Sequence, residues 1–402
     1  MINAKIPKLT MEYIIMTRKW LTLLSLFIFS QTLLLNTVNA NESNLQLKTD
    51  ASILMEAATG TILYEQNSDQ IKYPASVTKI ATAIYAIENA ELDDIVTVSM
   101  NARSADGTRV YLEAGEQVTL EKLLYGLLIN SGNDAAVAIA EHVSGSEQQF
   151  GIDLTKYLIK KAGIKNTNFT NGSGLFDENH YTTAYDLAKI VQYAMKNETF
   201  MKFFGAKELR WIGESWDTTL VSHHRMLNGE ITYEGITGGK NGFVPESRYT
   251  LATTAKRENM QLIAITLGGN KNEVYSDTIK LFNYGFESFH EVIINAHTTY
   301  TLNDRIYSNT NPIHFYIHND QSYETQLIDD GKLRIVNNLG EIIKSIQIQD
   351  ITLKPKPITQ NLDVMKSAIE PALYNEEKPH NNIIASLLIV VFISILLFSR
   401  IR

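Results

Sequence analysis

Two apolar runs bracket this chain, and they decide how much of its 402 residues can belong to a water-soluble fold. Trp20 to Leu35 follows Arg18-Lys19 and precedes Val38-Asn39-Ala40: a basic lead, an apolar middle and the small-residue pattern that signal peptidases cut after. Residues 1–40 therefore read as an export signal, with Met16 opening a lead of ordinary length. At the other end, Ile383 to Phe398 is broken only by Ser386 and Ser394 and runs into Ser399-Arg400-Ile401-Arg402. At 1.5 Å per residue, roughly 16 residues cover about 24 Å, slightly short of the ~30 Å hydrocarbon core yet enough for one span. Arginines behind an apolar run mark a stop-transfer anchor whose basic end stays in the cytoplasm. The expectation is an exported protein held at the cell membrane, with residues 41–380 outside.

Lys and Arg number 36 against 44 Asp and Glu, a net charge of −8. The first 40 residues carry +3 (Lys5, Lys8, Arg18 and Lys19 against Glu12) and the tail +2 (Arg400, Arg402), which leaves the part between them at −13. An acidic ectodomain does not bind nucleic acid through a basic face. Cysteine is absent. That excludes disulfides, a thiolate nucleophile and Cys-ligated metals, so covalent chemistry has to use another nucleophile. The nine histidines, His223-His224 among them, show no His-Glu-x-x-His or other metal-ligand spacing, and read as surface or core residues. Gly172-Ser173-Gly174 does not stand at a strand-to-helix turn, so it is no dinucleotide fingerprint. Neither cofactor nor metal is expected.

Residues 51–57 and 61–66 flank Thr59-Gly60 as a hairpin. A helix is predicted from Ser76, others over Leu120 to Ile129 and Ala135 to Val143, and a fourth over Leu187 to Met195 behind the capping-box pattern Thr183-x-x-Asp186. Asn168 to Asn179 is Gly- and Asn-rich loop. Tyr249 to Ala255 and Gln261 to Leu267 form a second hairpin, and an amphipathic helix from Ser276 to Phe289 closes the unit. Hairpin, helical middle, hairpin and final helix imply an α+β domain over 41–290, its antiparallel sheet assembled from both chain ends. Residues 291–355 alternate short apolar runs with Asn/Asp turns, a small β-rich domain. Residues 356–382, opened by Lys356-Pro357, are a linker, and 383–399 the anchor.

Three short elements carry chemistry. Ser76-Val77-Thr78-Lys79 opens a helix, and three residues along a helix is the same face, so the Lys79 ammonium can approach the Ser76 hydroxyl. A lysine can act as base for a serine once its pKa falls, and a helix N-terminus and a second cation both push it down. Alone, Ser-x-x-Lys is equally an N-cap beside a solvated lysine. Ser131-Gly132-Asn133 lies in a turn between helices, where capping is the plain alternative. Gly238-Gly239-Lys240-Asn241-Gly242-Phe243 leads into the hairpin strand, where Lys240 can hold an anionic group and the glycines let a substrate lie against the strand edge. Each element is weak singly; the ordered set at element boundaries is not.

With these motifs the sequence resembles the low-molecular-weight penicillin-binding proteins, the D-alanyl-D-alanine carboxypeptidases of the serine Ser-x-x-Lys peptidases. The likeness covers roughly residues 48–290 and takes in Pro74 to Lys79, Ile129 to Ala136, Phe169 to Leu175 and His180 to Ala188. It implies a serine β-lactamase/transpeptidase-like domain, acting on peptidoglycan stem peptides that end in D-Ala-D-Ala and inhibited by β-lactams. By resemblance, Ser76 is the nucleophile, Lys79 its base and Ser131 the proton relay to the leaving amine. Asn133 contacts the substrate backbone, Lys240 binds the terminal carboxylate, and the N–H groups of Ser76 and Phe243 form the oxyanion hole. The family's third motif is Lys-Thr-Gly; here Asn241 stands between Lys240 and Gly242, offering an amide N–H where the threonine offers a hydroxyl. A class A β-lactamase is the nearest alternative, but no Glu-x-x-x-Asn lies between Asn133 and Lys240. A wall-binding or β-lactam-sensing protein that has lost turnover through Asn241 is the alternative from another class.

Overall fold

The computed structural model describes residues 45–352. The expected signal (1–40), the linker (356–382) and the anchor (383–399) lie outside them, and among the described residues no helix is long and apolar enough to cross a membrane.

β1 (Ala51–Glu56) and β2 (Ile62–Gln66) pair as the expected hairpin. Every residue of β1 is buried, the mark of a strand covered on both faces and flanked on both sides. Its other neighbour comes from the far end of the domain. β3 (Ile95–Thr97) pairs with β4 (Gln117–Thr119), and β5 (Glu208–Ile212) with β6 (Asp217–Val221), as small separate ribbons. β7 (Ile236–Val244), β8 (Arg248–Arg257) and β9 (Met260–Gly269) complete the main sheet in the antiparallel order β2-β1-β9-β8-β7. The sheet is thus built from both chain ends, as the sequence predicts, and β7 is one of its two edge strands.

Alternation along the strands separates two cores. Ile53, Met55, Ile263 and Ile265 face the helical middle; Leu54, Leu251, Leu262 and Ala264 face the closing helix. The middle comprises α1 (Thr78–Asn89), preceded by a 3₁₀ turn over Ala75–Val77, α2 (Met100–Arg103), α3 (Leu120–Leu128), α4 (Asn133–Ser144), α5 (Glu147–Ala162), α6 (Ala184–Ala194) and α7 (Glu198–Phe204). The closing helix α8 (Lys271–Ser288) starts before the expected Ser276, because Asn270 and Glu273 form a full capping box. At α6 the expected box is only half made. Thr183 accepts the Asp186 N–H, but the Asp186 carboxylate turns away to the backbone of Lys165 and Asn166 and the Thr167 hydroxyl. An aspartate has one methylene less than a glutamate, and here it satisfies a buried loop instead.

Beyond α8 the chain is strand and turn. β10 (Phe289–Ile294) pairs with β13 (Ile313–His318); β11 (Thr299–Leu302), β12 (Arg305–Ser308) and β17 (Gln349–Asp350) form a second sheet; β14 (Tyr323–Ile328), β15 (Lys332–Asn337) and β16 (Ile342–Gln347) a third. Phe315, Leu333 and Ile335 lie at the centre of its small core.

Candidate active site

The 3₁₀ turn ahead of α1 sets the geometry of Ser76. Ala75 takes a left-handed φ of +49°, unusual for a residue with a Cβ. Three neighbours hold it. The Thr250 hydroxyl donates to the Pro74 carbonyl at 2.9 Å. Gly242 of β7 lies so close that a Cβ on it would stand 2.7 Å from the Ser76 nitrogen, and a Cβ on Gly174, itself at φ +81°, would run into the Ala75 carbonyl. The Ser76 backbone is thus clamped between the sheet edge and the 168–182 loop.

Lys79, the second residue of α1, is fully buried; its Nζ lies in hydrogen-bond contact with Ser76 Oγ at 3.1 Å and donates to Asn133 Oδ1 at 2.7 Å and the Ser173 carbonyl at 2.5 Å. No carboxylate is hydrogen-bonded to it among the described residues. Burial, reinforced by the positive charge of Lys240 and opposed by Asp134, holds the Lys79 pKa well below its ordinary value. Lys240 is also buried, donates to the Asn241 carbonyl at 2.8 Å, and is pushed down to about 7 by desolvation. Burial and the charge of Lys240 both favour the neutral amine near Ser76 Oγ, the form a lysine base requires.

Asn133 opens α4; its amide nitrogen donates to the Asp106 carbonyl at 2.5 Å, which aims its oxygen at Lys79. Ser131 is buried at φ +61° in the turn between α3 and α4, and its hydroxyl makes no hydrogen bond to Ser76 or Lys79 among the described residues. Lys240, Asn241, Gly242 and Phe243 lie on β7 itself, so the motif forms the edge strand where the sequence suggested only an approach to one. The half-buried Asn241 has no side-chain hydrogen bond among the described residues. The Phe243 ring is exposed, packed on Tyr249 at 4.7 Å.

Several contributors lie in stretches that the resemblance takes in but to which the sequence assigns no role. Asn171 Oδ1 accepts from Ser173 and Gly174 N–H groups (3.1 and 2.7 Å), an Asx-type turn that delivers the Ser173 carbonyl to Lys79. His180 takes the Thr170 N–H on Nδ1 at 3.1 Å, so its proton sits on Nε2 and reaches the Thr78 hydroxyl at 2.9 Å; burial lowers its pKa to about 4 and keeps it neutral. His224 is the expected core histidine: it bonds Thr253 at 2.9 Å, and burial with the charge of Lys240 lowers its pKa to about 3. Among the described residues no cluster of His, Asp and Glu is placed to hold a metal.

Against known proteins, the family described as D-alanyl-D-alanine carboxypeptidase, peptidase S11, matches residues 37–271. D-alanyl-D-alanine carboxypeptidase DacF of Bacillus subtilis is 36% identical over 255 residues, 61% of this chain and 64% of that protein. DacA of Haemophilus influenzae is 33% identical over 268 residues, 61% of this chain and 63% of that protein. The matches thus span somewhat under two thirds of these relatives' length. Penicillin-binding protein 5 of Haemophilus influenzae superposes with a TM-score of 0.67 at 25% identity, covering 76% of this chain and 97% of that one. The DacD carboxypeptidase of Francisella tularensis shares the fold, with a TM-score of 0.66 at 24% identity over 78% of this chain and 95% of that one. The fold is that of the penicillin-binding, transpeptidase-like proteins, with a β-rich C-terminal part. The chain belongs to the S11 D-alanyl-D-alanine carboxypeptidase family.

Proposed function

We propose that this chain removes the terminal D-alanine from peptidoglycan stem peptides through an acyl-enzyme on Ser76. The observation that carries the reading is the buried Lys79 Nζ at 3.1 Å from Ser76 Oγ with its pKa pushed down. Lys79 takes the Ser76 proton as Oγ attacks the carbonyl between the two D-alanines. The oxyanion collects on the Ser76 and Phe243 N–H groups, worth roughly 2.7–4 kcal/mol per donor in hydrolases of this kind. The C–N bond breaks, Ser131 passes a proton to the leaving amine, and water hydrolyses the ester. Lys240 and the free amide of Asn241 receive the substrate carboxylate, which favours the charged form of Lys240; Asn133 meets the substrate backbone. A β-lactam carries the same carbonyl and carboxylate, so it acylates Ser76 and stays. Division into a catalytic domain (41–290) and a β-rich domain (291–355), export by residues 1–40 and anchoring by 383–399 complete the proposal.

Release of D-alanine from a D-Ala-D-Ala peptide, measured for the natural chain and for Asn241→Thr, is the test. Turnover in both, within about tenfold of each other, is expected, since an amide donor replaces a hydroxyl donor. A chain that is labelled by penicillin yet releases no D-alanine is a sensor or wall-binding protein.

A further inference from the structure

A cleft of about 810 Å³ lies where the β1–β2 turn meets the β-rich part of the chain. Ligand pockets run from roughly 300 to 1,000 Å³, so it has room for a peptide of a few residues. Its walls are Ala58 and Thr59 of the turn, the 309–314 segment that enters β13, and the run from Lys344 of β16 to Gln349. It shares no lining residue with the site around Ser76, Lys79, Asn133 and Lys240.

The lining selects its ligand in three ways. Side-chain amides dominate it: Asn309, Asn311, Gln347 and Gln349. An amide both donates and accepts, as a peptide group does. The Asn309 NH₂ is spent on the Asn295 and Asn311 carbonyls at 2.8 and 2.9 Å, and its buried Oδ1 has no partner among the described residues. A buried acceptor without a donor is costly, and a ligand N–H in the cleft is the group it lacks. Charge is the second selector. Lys344 is the one Lys, Arg, Asp or Glu in the lining, and its Nζ donates to the His314 carbonyl at 2.7 Å. The neighbouring carboxylates are engaged elsewhere. Glu56 accepts the Ala58 and Thr59 N–H groups at 3.1 and 2.7 Å and the Thr59 hydroxyl at 2.6 Å, and acts on Lys344 only through space. Glu291 meets His314 Nδ1 at 2.7 Å. A half-buried cation without a contacting carboxylate suits an anionic ligand. Third, no Trp, Tyr or Phe lines the cleft, so it offers no aromatic plate for a sugar ring.

We infer that this cleft binds a second stem peptide of the wall polymer without cleaving it, and so retains the chain on its substrate. The inference rests on the carboxypeptidase reading, which makes that polymer the substrate. A stem peptide is a short run of amides that ends in a D-alanine carboxylate, both before and after its last residue is removed. Its carboxylate meets Lys344, its amides exchange hydrogen bonds with Asn311, Gln347 and Gln349, and its methyl groups lie on Ile313 and Ile346. Stem peptides recur along the polymer. Holding one at the β-rich part therefore raises the local concentration of the others at Ser76.

The test has a rate arm and a binding arm, both on the detergent-solubilised full chain. In the first, D-alanine release is measured from insoluble peptidoglycan and from a soluble pentapeptide. Lys344→Ala is expected to slow release from the insoluble polymer about tenfold while release from the pentapeptide stays within about twofold; Lys344→Arg keeps the charge and restores part of the loss. In the second, a fluorescent stem tetrapeptide ending in one D-alanine is titrated with penicillin present to occupy Ser76. Binding by the natural chain, weakened about tenfold or more in Lys344→Ala, is expected. Equal rates on the polymer for the natural chain and Lys344→Ala overturn the inference and leave the carboxypeptidase reading standing. So does an equal loss on both substrates, which marks a structural role for Lys344. Tighter binding of an acidic all-L peptide than of the stem tetrapeptide also overturns it, and makes the cleft a protein-docking face. If the natural chain releases no D-alanine from either substrate, the carboxypeptidase reading fails, and the binding arm decides the cleft by itself.

Discussion

Around Ser76 the chain buries two lysines, places Ala75, Tyr111 and Ser131 at positive φ, and lets strand β7 approach so closely that only glycine fits at position 242. Among the described side chains from Phe289 to Asp350 the buried polar residues are Ser308, Asn309 and Asn337, the positive-φ residues other than glycine are His297, Asn303 and Asp304, and the Arg305–Asp350 ion pair is exposed. The first region holds charges and backbone in states that cost stability, which persist only because helices and sheet over-determine them. The second resembles an ordinary small β fold, with apolar residues inside and turns at the ends of strands. The difference teaches where function resides: fully buried lysines cluster around Ser76, and among the described residues the β-rich part buries none.

The sharpest way to break this comparison is Gly174→Ala. Its Cβ meets the Ala75 carbonyl at a φ of +81°, and displacing the nucleophile by an ångström costs about 10²-fold or more. Penicillin acylation is expected to slow by about 10²–10³-fold, while Gly340→Ala in the β-rich part, also at positive φ but with open space around it, leaves the rate unchanged. Equal rates in the two variants remove the clamp from the account.

Lys240→Met comes next. Loss of the charged carboxylate contact is expected to lower kcat/KM about 10–10²-fold. Removing the cation also lets the Lys79 pKa rise, so the acid limb of the acylation profile moves to higher pH. Stability should move the other way. The folded pKa of Lys240 is about 7 against an ordinary 10.5, so the folded protein binds fewer protons between those values and gains stability as pH rises through that window. The penalty is fully present below about 7, where the methionine variant is expected to be more stable by about 1–2 kcal/mol. The gain shrinks toward 10.5, and thermal melts at pH 6 and 10 measure it.

Phe315→Ala tests the other region. Phe315 is fully buried in the small core, and its truncation is expected to cost about 3–5 kcal/mol locally. Acylation of Ser76 should change less than twofold, measured beside hydrogen exchange of β13 and β15.

Much of this was legible in the sequence. The hairpins flanking the main sheet, helices α1, α3, α4 and α6, and the set Ser76, Lys79, Asn133 and Lys240 follow from periodicity, caps and motif order. The remainder was hidden for physical reasons. Helix α5 carries a mixed face with exposed Ile152 and Ile159, so its apolar stripe does not stand out. The edge strand β7 contains Gly238, Gly239 and Gly242, residues that read as loop because a strand rarely tolerates them; only the approach of Ser76, Phe204 and His224 explains them. The Ser173 carbonyl on Lys79 is a backbone group, and no side-chain pattern announces it.

The central claim is that a neutral, buried Lys79 drives acylation at Ser76 and that water completes the turnover. Intact-mass spectrometry of the full chain with a D-Ala-D-Ala peptide and with penicillin, for the natural protein and Ser76→Ala, tests it most directly. The account predicts a persistent penicillin adduct on Ser76, released D-alanine with the peptide, and loss of both in Ser76→Ala. D-alanine release that survives Ser76→Ala contradicts it.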